Sequence, residues 1–234
     1  LGVDTVRMTA NSLSFLGHMK GDSAVLKDSM TKSFLSGLIA RHLAQRERLK
    51  DKEEAFICGM CQNLGENLVL FYFPDEYADI SEAMRTKNLD KAAAARSVLG
   101  VDYSDLGAAV ARSWNLPGTI VDSIRGLPQG PLQKPDTPAE QLRDLAILAN
   151  ELANLFQFHD TDDVDSEMEE LLARFAPSVS LDAGYCVKLM AAGLDKLNQY
   201  APVFEINVTS SDYCKAVQSW LSQHEESDEV TQTA

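Results

Sequence analysis

Residues 56–80 read FICGMCQNLGENLVLFYFPDEYADI, and the interpretation of this stretch decides the rest. Asp51 stands just upstream where an N-cap would sit, with Glu53 and Glu54 at the positive end of the helix that follows. One helix is therefore predicted from there to about Phe73, with Pro74 opening the next. Inside it, Gly59-Met60-Cys61-Gln62-Asn63-Leu64-Gly65 places two primary amides side by side in an apolar run. Amides are neutral, weak ligands, whereas a catalytic divalent ion takes imidazole nitrogen and anionic oxygen. Cys58 and Cys61 make a C-x-x-C, but the pair lies inside a helix rather than opening one after a strand. Cys186 and Cys214 stand far apart and alone, so neither a zinc site nor a disulfide framework is indicated. Small apolar residues on a buried helix in a reducing cytoplasm account for the Cys58–Cys61 pair.

Helical periodicity continues on both sides. Phe34, Leu35, Leu38, Ile39 and Leu43 form an amphipathic stripe. Asn88 is placed to cap LDKAAAARSVLG, which closes at Gly100, and Asp102–Trp114 reads as a further helix. Pro117 suits the first turn of the next. Residues 126–138, GLPQGPLQKPDTP, are the one clear linker. Beyond it Leu142, Leu145, Leu148, Ala149, Leu152, Leu155 and Phe156 make another stripe, followed by expected helices at 163–175, 180–200 and 210–221. Val203–Val208 alternates weakly and reads as extended, and the acidic tail from Glu225 is expected to fray. The predicted fold is all-α, a helical bundle in which 139–222 packs on the helices before the linker and 223–234 forms the tail.

An ordered set of landmarks adds a resemblance. Leu1-Gly2 through Arg7, Ser33–Ala44, Glu53–Ile80, Leu99-Gly100-Val101-Asp102, Gly107, Trp114-Asn115-Leu116-Pro117, Ile120 and Ile124 follow one another at the spacing of the HDOD domain. The chain resembles that bacterial module, a relative of the HD phosphohydrolases, over about residues 1–128. The resemblance implies that the N-terminal part of the module is missing, as expected of a fragment beginning at Leu1. It also implies where an HD hydrolase would carry its metal ligands: near Lys32, at Gln62 and Asn63, and at Leu127 and Pro128. None of these is a ligand for a divalent cation, and an ammonium beside two amides repels one.

A chain of 234 residues, 45% hydrophobic, can bury a substantial core, and its formal charge of −14 argues against nucleic acid and anionic membranes as partners. The basic cluster Arg41–Lys52 is interleaved with acids and reads as a solvated helix end. His18, His42, His159 and His224 are dispersed and form no ligand pair. Asp160, Asp162, Asp163 and Asp165 lack the glycine of a calcium loop and read as acids at a helix start. No phosphate-binding glycine loop or nucleophile elbow is present. Trp114 and Trp220 read as core anchors, and Phe71, Tyr72, Phe73 and Tyr77 are expected in the core, with a partner-contacting patch as the alternative.

The resemblance implies a non-catalytic signal-transduction module, cytoplasmic and without cofactor, acting on protein partners or attached signalling domains. A cavity bounded by Lys32, Gln62, Asn63 and Glu66 is expected either to close on itself through a Lys32–Glu66 pair, the preferred outcome, or to hold a small anionic ligand. Two alternatives remain: a metal-dependent phosphohydrolase with substituted ligands, and a structural unit whose open apolar face forms a homodimer.

Overall fold

The stripe on residues 34–43 is buried along its whole length, and the molecule is arranged around it. The structure is a computed structural model that describes residues 24–127, 132–156, 161–200, 208 and 210–232, with backbone only at 161–162 and 225–232. Residues 1–7, His18, Pro128, His159, Asp160 and all of the 203–208 stretch except Val208 lie outside the described residues, as does the Asp162 side chain. Eleven helices and no strand are found among those described. They are α1 (Ala24–Arg46), α2 (Lys52–Cys61), α3 (Leu64–Tyr72), α4 (Pro74–Lys87), α5 (Lys91–Leu99) and α6 (Tyr103–Ser113). After these come α7 (Gly118–Ile124), α8 (Pro138–Asn154), α9 (Thr161–Phe175), α10 (Ala183–Tyr200) and α11 (Asp212–Gln232).

Helix α1 is central, touching α2, α8, α10 and α11, while α2 and α8 also meet each other. One apolar core runs through these elements, from Phe34 to Leu221. Trp220 is fully buried in it and donates its indole N–H to Asp165 at 2.9 Å. The α4–α5 hairpin closes a smaller core over Val69, Ile80, Ala94, Ala95 and Tyr103. Helices α3 and α6 touch backbone to backbone: a Cβ on Gly65 would lie 1.9 Å from the Tyr103 carbonyl oxygen. Gly107 faces Gly65 from α6, so only glycine permits this crossing. Gly59 plays the same part between α2 and α1, where a Cβ would come within 2.8 Å of the Ala40 Cβ and the Ser36 carbonyl.

Several local expectations are corrected. The single helix predicted from Asp51 to Phe73 is two, broken at Gln62 and Asn63. Asp51 makes no side-chain cap. Asn88 takes the left-handed conformation (φ 51°) that ends α4, and Asp90 caps α5 by accepting the Ala93 N–H at 2.7 Å. The short amide tolerates left-handed φ, while the carboxylate is the stronger acceptor at a positive helix end. Pro117 is the N-cap of α7 rather than a residue of its first turn. Helix α11 continues past Glu225 to Gln232. Tyr72, Phe73 and Trp114 are exposed at 61%, 52% and 45%, so they are not core anchors.

Candidate functional site

The break between α2 and α3 is made by side chains that find partners outside the helix. The Gln62 side-chain amide donates to the Ser123 carbonyl at the end of α7 (3.0 Å) and to the Cys58 carbonyl (3.2 Å). The Asn63 amide donates to Asn150 Oδ1 on α8 at 2.7 Å. Asn63 rests at φ −98°, ψ 18°, outside the helical region, which turns the chain into α3. The two amides thus tie the elbow to α7 and α8.

One turn into α3, the buried Glu66 carboxylate receives Lys91 Nζ at 3.1 and 3.0 Å, one contact to each oxygen, with the Tyr77 hydroxyl at 3.5 Å. Burial alone would raise its pKa, but the charges of Lys91 and Lys32 outweigh burial and hold the carboxyl below its ordinary value. Lys32 is 1% exposed on α1. Burial pushes its ammonium down to about 8, opposed by the charge of Glu66 and reinforced by that of Lys91. Lys91 thus hydrogen-bonds Glu66, and the charge of Lys32 adds to its hold on the same carboxylate. Asn67, absent from the sequence reading, completes the seam between α1 and α3. Its Oδ1 accepts from Ser29 (2.6 Å) and its amide donates to Ser33 (3.1 Å). The signal was there in the i, i+4 serines flanking Lys32 and in the adjacent polar pair Glu66-Asn67.

A cleft of about 640 Å³ opens at the elbow. Gln62, Asn63 and Glu66 line one side, with Lys91 and Tyr103 adjoining. Asn150, Glu151 and Asn154 of α8 line another, with Arg174 of α9, and Ile124, Leu127, Leu132 and Ile147 supply apolar wall. Of the four residues marked from sequence, three face this cleft, whereas Lys32 is not part of its lining. Arg174 is paired with Glu151 at 2.6 Å. Burial, then the charge of Glu66, raises the pKa of the Tyr103 hydroxyl, which stays protonated.

The donors gathered here do not fit a catalytic divalent ion. Among the described residues no three His, Cys, Asp or Glu side chains converge. The Glu66 carboxylate already holds an ammonium and Glu151 a guanidinium, and their neighbours are amides. The Cys58 and Cys61 thiols are buried and free, with no disulfide. Burial raises the Cys58 thiol strongly and pushes Cys61 up to about 12, so neither offers a thiolate. No helix among the described residues is long and apolar enough to cross a membrane.

Comparison with known proteins yields three kinds of likeness. The model of the HDOD domain family matches residues 1–127. An uncharacterized protein of Treponema pallidum (strain Nichols) is 30% identical over 81 residues, which is 33% of this chain and 16% of that protein's length. Two crystal structures share the fold. One, of a Shewanella amazonensis SB2B protein named "Putative phosphohydrolase", has a TM-score of 0.58 at 22% identity, covering 94% of this chain and 74% of that one. The other, an HDOD domain protein of Geobacter sulfurreducens with unknown function, has a TM-score of 0.61 at 16% identity, covering 87% and 72%.

Proposed function

Since the chain belongs to the HDOD domain family, we propose that it is a non-catalytic regulatory module that works by binding, in signal transduction, a protein partner or a small ligand. The observation that carries this reading is the chemistry of the elbow. Both amides there already donate their hydrogen bonds within the fold, and Glu66 is held by Lys91. A metal-assisted hydrolase needs an ion with an open coordination position and an activated water, and nothing at the elbow is suited to hold one. The formal charge of −14 favours protein or small-molecule partners over nucleic acid. In a longer protein the module would pass on a signal from an attached domain, inside a bacterial cytoplasm.

The test is metal content together with turnover. Purified chain is expected to carry Mn, Fe and Zn far below one equivalent and to leave a model phosphodiester intact after addition of each metal. Stoichiometric metal with hydrolysis that fails in Glu66→Gln would establish the hydrolase alternative instead. The name of the Shewanella neighbour points that way, but at 22% identity the likeness is one of fold.

A further inference from the structure

The cleft at the elbow carries two carboxylates and two cations, and they are matched pairwise, Glu66 with Lys91 and Glu151 with Arg174. Its charge is therefore balanced, and neither cation is left over for a phosphate or carboxylate ligand. What the cleft lacks is hydrogen-bond partners. Among the described residues, two buried side-chain polar atoms have no partner in the chain, the Tyr103 hydroxyl and Asn154 Oδ1. Both residues line this cleft, and Tyr103 is only 9% exposed. Leaving such atoms unmatched is costly, so their gathering at one place indicates a site completed from outside the chain.

The unmatched atoms specify the ligand. Asn154 Oδ1 needs a donor, and the Tyr103 hydroxyl, as a donor, needs an acceptor. Asn150 spends its oxygen on Asn63, which leaves its own N–H groups and the Asn63 oxygen for further contacts. Ile124 and Ile147 offer apolar contact to a flat body. The volume lies within the roughly 300–1,000 Å³ of small-molecule sites. We propose that the cleft binds an uncharged planar heterocycle with neighbouring N–H and carbonyl or ring-nitrogen groups, of the nucleobase or nucleoside class, and that phosphorylation of that ligand weakens binding. This rests on the reading of the module as a binding device and names what it binds.

Calorimetric titration of the 234-residue chain with adenosine, guanosine, cytidine and uridine, with each 5′-monophosphate and with inorganic phosphate, tests the proposal. At least one nucleoside is expected to bind with a dissociation constant of about 10–100 µM, and its monophosphate about tenfold more weakly. Tyr103→Phe should weaken the nucleoside about tenfold while leaving the thermal midpoint of the free protein unchanged or higher, because no bond within the fold is lost. Asn154→Leu should weaken it similarly, and it decides the matter if the first variant does not fold. No heat from any nucleoside, tighter binding of the monophosphate, or full affinity in both variants would overturn the proposal. Nucleosides contain no phosphodiester, so hydrolytic activity would defeat the non-catalytic reading and leave this titration readable.

Discussion

Helices α2 and α3 are neighbours in sequence, similar in length and buried over most of their residues, but they are buried by different means. Every side chain that α2 hides, from Ala55 to Cys61, is neutral, and its two thiols are kept protonated by burial. Helix α3 hides an ionised carboxylate and an amide, Glu66 and Asn67, among Leu64, Leu68, Val69 and Leu70. Removal from water stabilises the first directly. The second depends on named partners, because a buried charge without compensation costs several kcal/mol. The elbow at Gln62 and Asn63 separates these two regimes, and the cleft opens on the charged side.

The largest expected effect compares the glycine on each helix. In Gly65→Ala the new Cβ would fall 1.9 Å from the Tyr103 carbonyl oxygen, a backbone atom that cannot swing aside. In Gly59→Ala the nearest atoms stand at 2.8 Å, one of them the Ala40 methyl. Denaturant unfolding should show a loss above about 4 kcal/mol, or no folded protein, for the first, and about 2–3 kcal/mol for the second. The reverse order would mean that α3 and α6 do not meet at Gly65 and Gly107.

Next in size is the charge on α3. Glu66→Gln keeps the shape but leaves Lys91 without its carboxylate, at a cost of about 3 kcal/mol, reduced from a fully buried pair because Lys91 is 34% exposed. The same group sets an acid limb. Its carboxyl is held below the ordinary value, so its contribution is complete above about pH 4.5 and is lost as pH falls through the folded value. Urea midpoints of wild type and Glu66→Gln should converge in that range. Parallel curves would place the pH-sensitive group elsewhere.

How much of this was legible in the sequence differs on the two sides of the elbow. Apolar stripes recur at the helical repeat, so the long helices and the burial of Phe34, Leu35, Leu38, Ile39 and Leu43 could be read from spacing, while Gly65 and Gly107 were marked by the family resemblance. The amides at 62 and 63 could also be singled out, because amides in an apolar run demand partners. The break they make could not be read. Gln and Asn are tolerated in helices, and what ends α2 is a carbonyl 61 residues away and an asparagine 87 away. Lys91 escaped for the same reason, standing 25 residues from Glu66 on a helix whose sequence advertises only alanines. Trp114 and Phe73 were misplaced because aromatic character predicts burial without saying which end of a helix is covered.

A smaller effect belongs to Lys32, whose folded pKa of about 8 lies below the ordinary 10.5. Between those values the unfolded chain binds a proton that the folded chain does not, so stability rises with pH. Between pH 8 and 9 wild type should gain about 1 kcal/mol relative to Lys32→Met. The raised thiols of Cys58, Cys61, Cys186 and Cys214 act in the opposite sense from about pH 8 upward, since the unfolded chain releases protons that the folded chain keeps. Lysine and thiols therefore pull stability in opposite directions, and Lys32→Met should lose stability more steeply than wild type over this window. Equal pH slopes in the two proteins would mean that Lys32 keeps its ordinary pKa.

The smallest effect is expected at the far end of α3, where the helix leaves the charged region and reaches the surface. Tyr72 is 61% exposed and meets Phe71 edge to face at a centroid distance of 4.7 Å. Tyr72→Ser removes that contact and little buried area, so denaturant unfolding should change by less than about 1 kcal/mol. The variant also probes the sequence reading that placed this aromatic in the core. A loss of about 3 kcal/mol, of the kind that follows truncation of a buried aromatic, would mean that this end of α3 is covered in the folded protein and that the charged and apolar means of burial meet along the whole helix.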